Sequence, residues 1–61
     1  MSDLFEISLL EMIKDAEREV AMRRNVYPRR VQNKVMTQAK ADRQIAIMEK
    51  IVETLKGVAN G

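Results

Sequence analysis

Apolar residues return at alternating steps of four and three along two long stretches of this chain, and one break separates them. In the first stretch Leu9, Ile13, Ala16, Val20 and Arg23 trace a line that Phe5 and Met12 widen. In the second, Ala41, Ile45, Met48, Val52 and Leu55 do the same, with Ile47 and Ile51 on an adjacent line. This is the period of an α-helix, which brings every third or fourth residue onto one face. Nothing reads as a strand, so the fold class expected is all-α.

Local signals set the expected boundaries. Ser2 is a suitable N-cap, and Asp3 and Glu6 suit the positive end of a helix dipole. Arg23 and Arg24 suit the negative end, and Asn25 tolerates the left-handed conformation that closes a helix. Pro28 disfavours helical geometry at Tyr27 and can start a new turn, ended by Asn33. Thr37 is a second N-cap and Gly57 a stop signal. The expected helices are therefore about 3–24, 28–32 and 38–56, within one domain spanning 1–61. The short break favours antiparallel neighbours, giving a helical hairpin with a short helical turn at a bent corner. Two helices cover only one side of each other. The apolar excess at Leu4, Leu10, Ile47, Ile51 and the methionines is expected to be buried by dimerisation into a four-helix bundle.

Composition narrows the chemistry. Among 61 residues there is neither Cys nor His, which excludes thiolate and imidazole ligands and His acid–base catalysis. The carboxylate pairs Asp15 with Glu19 and Glu49 with Glu53 read as solvated helix faces, since the Glu-x-x-His partner motif of a bundle metal site needs His. No Gly-rich phosphate loop or nucleophile–base pair is present. No catalytic, metal-binding or cofactor-binding residue is assigned, and no enzyme is expected. Phe5 and Tyr27 are the only aromatics, too few for a base-stacking platform. Met12, Met22, Met36 and Met48 read as core filling rather than as an adaptable binding face. The N-terminus lacks the basic start and apolar run of a secretory signal, and no stretch reaches the ~18 apolar residues of a membrane span. A soluble, intracellular protein that does not enter a membrane is expected.

Charge is distributed unevenly. Residues 1–19 carry six acidic against two basic side chains, a balance of −4. Residues 20–41 carry Arg23, Arg24, Arg29, Arg30, Lys34 and Lys40 with no acid, a balance of +6, and the remainder cancels. A basic block in a short chain points to an anionic partner surface. Arg23, Arg24, Arg29, Arg30 and Lys34 are the candidate partner-binding residues, because the arginine fork suits carboxylates and phosphates alike. The block lacks the polar recognition helix of a helix-turn-helix motif. Tyr27 is expected to anchor the corner, its ring on the helix pair and its hydroxyl at the surface.

The segment Val26-Tyr27-Pro28-Arg29, followed by Met36-Thr37-Gln38-Ala39-Lys40-Ala41-Asp42-Arg43-Gln44-Ile45-Ala46-Ile47-Met48-Glu49-Lys50-Ile51, resembles a group of small phage and prophage proteins of proteobacteria. These carry a Tyr-Pro pair, a short turn and an Ala-Asp … Ile-Ala-x-Met-Glu helix. The resemblance covers roughly residues 19–55. The group often has Trp where Arg30 stands and Gly where Lys34 stands. Matching its motif, Tyr27, Pro28, Asp42, Ile45 and Met48 are the core positions. The resemblance implies a phage context, in the cytoplasm of a bacterial host, and no defined activity. Three functions follow as expectations. The first is an accessory protein that binds a protein partner as an inhibitor or adaptor. The second is nucleic-acid binding through the basic corner, and the third is a structural coiled-coil assembly element.

Overall fold

The structure is a computed structural model that describes residues 7–61. Two helices, α1 (Leu9–Gln32) and α2 (Gln38–Asn60), pack against each other as a hairpin. Ser8 caps α1 in extended geometry. Its hydroxyl accepts from the Glu11 N–H at 3.1 Å, while the Glu11 carboxylate accepts from the Ser8 N–H at 3.2 Å. This reciprocal box satisfies two donors that a helix start leaves open. The helix expected from about residue 3 thus begins at Leu9, whereas Ser2, Asp3, Leu4, Phe5 and Glu6 lie outside the described residues. Thr37 caps α2 as expected, its hydroxyl accepting from the Lys40 N–H at 3.1 Å.

The expected break before Pro28 does not occur. Helix α1 continues through Asn25 and Pro28 to Gln32, so the separate turn at 28–32 is its last stretch. Pro28 has no N–H to donate to the preceding turn, a substantial local cost. Tertiary packing offsets it. Tyr27 follows Arg23 by four residues, and only an unbroken helix keeps its ring in the seam, where it is 6% exposed.

The chain turns where α1 actually ends. Lys34, at φ 61, donates to the Val31 carbonyl, and Val35 donates to the Arg30 carbonyl, both at 3.0 Å. This is a Schellman closure with Lys34 in the left-handed position usually held by Gly. Asn33 is the C-cap as expected, but at φ −83; the left-handed residue is its neighbour. Gly57 does not stop α2, which runs three residues further to Asn60 with Gly61 as its cap. A glycine permits left-handed geometry without imposing it.

The core is small. Ile13, Ala16, Val20, Tyr27 and Ala41 are buried, and two of these five are alanines with little area to contribute. Ile45, Met48, Val52 and Leu55 are half-buried on the facing side of α2. Ile7, Leu10, Met12, Met22, Val35, Ile47, Ile51 and Val58 remain exposed.

Candidate binding site at the basic corner

The five candidate basic residues serve two different purposes. Arg23 lies on the helix seam and turns inward. Its Nε donates to the Glu19 carboxylate and its Nη1 to the Gln44 main-chain carbonyl, both at 2.8 Å. Arg24 crosses to α2 and pairs with Glu49. About two turns further toward the open end, Lys56 pairs with Glu17 at 2.7 Å. These two cross-links close one face of the hairpin. Arg23 and Arg24 therefore hold the two helices together.

Arg29, Arg30 and Lys34 are exposed at the corner. Arg29 stands about 140° round the helix from Arg24 at 100° per residue, so these two do not share a face. Arg29 and Arg30 line a shallow groove with Asn25, Val26 and Asn33. The Arg30 guanidinium lies 5.6 Å from the centre of the Tyr27 ring, within cation–π range. Lys34 belongs to a second groove with Val31, Val35, Met36, Thr37 and Lys40. The structure thus gathers Arg29 and Arg30 on one side of the corner and Lys34 with Lys40 on another. Among the described residues, Arg29, Arg30, Lys34, Lys40 and Arg43 have no carboxylate within ion-pair distance.

Two residues gain a role that spacing alone did not give them. Gln44 takes Arg23 on its carbonyl and the Tyr27 hydroxyl on its side-chain oxygen at 3.3 Å. The Tyr27 hydroxyl is accordingly half-buried in this contact rather than directed to water. A polar residue beside the apolar line of Ala41 and Ile45 was the available signal. Val35 is 73% exposed next to Lys34, an apolar side chain among cations at the tip. No signal distinguishes it until the turn geometry is known.

Elsewhere the charges pair locally. Asp15 meets Arg18 at 3.3 Å and Lys50 meets Glu53 at 2.9 Å. The hydrogen bond to Glu53, and then its charge, hold the Lys50 ammonium above its ordinary pKa; the same bond and charge lower the Glu53 carboxyl. Among the described residues no group of three or more carboxylates is placed to hold a metal, and no helix is long and apolar enough to cross a membrane. No family model, curated protein or solved structure matches the chain.

Proposed function

We propose that this chain is a non-enzymatic binding module of the phage accessory type, working as a homodimeric four-helix bundle. Its corner docks Arg29 and Arg30, with Lys34 on the adjoining side of the tip, on acidic surfaces of a protein partner. One observation carries the reading. Arg23 and Arg24 already have partners within the hairpin, while the cations at the corner have no internal carboxylate and are exposed. A partner that supplies carboxylates there would form charge-assisted, bidentate contacts with the arginines. According to what it covers, such a module acts as an inhibitor or as an adaptor.

The same cations also suit a phosphate backbone. Two features favour protein over nucleic acid. Tyr27, the sole aromatic of the corner, is buried and offers no face on which a base could stack. Val35 adds an exposed apolar contact beside Lys34, which fits the mixed chemistry of a protein interface.

The test uses Arg29→Glu/Arg30→Glu, whose sites are exposed and leave the core intact. Partners retained from a bacterial lysate by the wild-type protein are expected to be lost by the variant while its helical circular dichroism at the temperature of the assay is retained. Duplex DNA, single-stranded DNA and RNA are titrated at two salt concentrations. Tight nucleic-acid binding, with a salt slope near one per phosphate contact, would transfer the corner to the second reading. Retention of every partner by the double variant would remove the corner from function altogether.

A further inference from the structure

The hairpin measures 13 Å along its shortest axis, a single layer of helices. Stable domains normally pack two layers around a core.

The two faces of the layer differ. One is laced by the Arg24–Glu49 and Lys56–Glu17 pairs. The other is an apolar groove formed by Ile7, Met12, Met48, Ile51 and Leu55, with Ile47 beside it. Ile47 and Ile51 are 46% and 42% exposed there. Acidic Glu11 and Asp15 rim this groove on the α1 side.

We infer that a second copy of this chain covers the open face with its ends reversed, so that α1 lies over α1 and α2 over α2, each pair antiparallel. The inference rests on the dimeric reading above and adds the face and the orientation. Two observations fix the orientation. First, Lys40, Ile47, Ile51 and Val58 fall on one line of α2, at steps of seven, four and seven. That line is symmetric about the level of Glu49. A two-fold axis there sets Ile47 against the partner's Ile51 and Lys40 against the partner's Val58. Second, the Arg24–Glu49 pair places Arg24 level with Glu49, so the same axis lays Glu11 and Asp15 near the partner's corner cations. The acidic end of each copy then meets the basic end of the other. A second copy with its ends aligned would instead bring the two basic corners together and repel.

The chain has no cysteine, so introduced ones report contacts directly. Sedimentation at micromolar concentration is expected to give twice 7.0 kDa for the wild-type protein. Ile47→Glu and Ile51→Glu alter exposed sites and are expected to give 7.0 kDa with helicity retained. Leu10→Glu, away from the groove, is expected to leave the dimer. Mixed Lys40→Cys and Val58→Cys proteins are expected to form a disulfide-linked heterodimer on oxidation, while neither links to itself. A wild-type monomer overturns both the inference and the dimeric reading. A dimer that survives both Glu variants overturns the face, and a Lys40→Cys homodimer overturns the orientation; either leaves the dimeric reading standing.

Discussion

Among the described residues Tyr27 is the one aromatic of the five buried side chains, and its removal should show how narrowly the hairpin is stable. A 61-residue domain has a stability of roughly 3–9 kcal/mol. Truncating a buried aromatic to alanine costs about 3 kcal/mol, because the apolar contacts vanish and the cavity closes only in part. With a urea dependence of about 1 kcal/mol per molar for a chain this small, Tyr27→Ala should lower the unfolding midpoint by about 3 M. At the bottom of that stability range the variant is half unfolded without denaturant. Tyr27→Phe keeps the ring and loses only the hydroxyl contact to Gln44. At 3.3 Å that bond is longer than the ~2.5–3.0 Å usual for a hydroxyl donor, and water can reach the half-buried Gln44 amide. Its loss should cost ~0.5–1 kcal/mol, a midpoint shift of no more than about 1 M. The assay is helical circular dichroism against urea at fixed protomer concentration, since any self-association would make the midpoint depend on concentration. If Tyr27→Ala proves no more damaging than Tyr27→Phe, the ring does not anchor the hairpin and the account of the unbroken α1 fails with it.

Two substitutions test the helix ends. Lys34→Gly relieves a left-handed side chain at the Schellman position and should stabilise the hairpin by about 1 kcal/mol, read as a higher urea midpoint; a lower midpoint would contradict the turn geometry. Gly57→Ala adds a methyl group that meets nothing within 4 Å, inside a helix rather than at its stop. It should raise stability by about 0.5–1 kcal/mol, whereas a loss would mean that Gly57 ends α2 after all.

The hairpin was legible in the sequence because burial follows the seam: Ile13, Ala16 and Val20 in α1 and Ala41 in α2 are buried on the lines that the 4–3 spacing traces. The boundaries were harder to read, each for a physical reason. Asn25, Pro28 and Gly57 carry local breaking tendencies of a few kcal/mol at most, and packing overrides such tendencies. The seam itself held the correction. Arg23, Tyr27 and Arg30 continue it by four and three, straight through the proline. At the other end, Ser8 followed by Glu11 is a capping box, a more specific signal than a lone Ser2. The corner was legible as a charge balance but not as a surface. Which partner an arginine finds depends on what the opposite helix offers it. Gln44 offers Arg23 a carbonyl and Glu49 offers Arg24 a carboxylate, and neither pairing follows from spacing along one helix.

The two proposals make opposing demands on the same arginines. With ends reversed, the corners of a dimer sit at opposite ends of a bundle about 35 Å long, given 1.5 Å of rise per residue. Each corner is therefore a separate site, and a partner gains avidity only if it presents two acidic surfaces at that distance. Each corner also has the acidic end of the other copy close by. Glu11 and Asp15 of that copy and the carboxylates of an outside partner would then compete for Arg29 and Arg30. By linkage, a partner that captures those arginines weakens the dimer to the extent that the dimer weakens the partner. The apolar part of the open face, centred on Ile47 and Ile51, lies on α2 and takes no part in that exchange. It can hold the copies together while the corner changes partners. On this arrangement the uneven charge of the chain has distinct uses along its length: Arg23 and Arg24 fasten the hairpin, the opposite ends orient the second copy, and the tip around Lys34 and Val35 stays open to an outside protein.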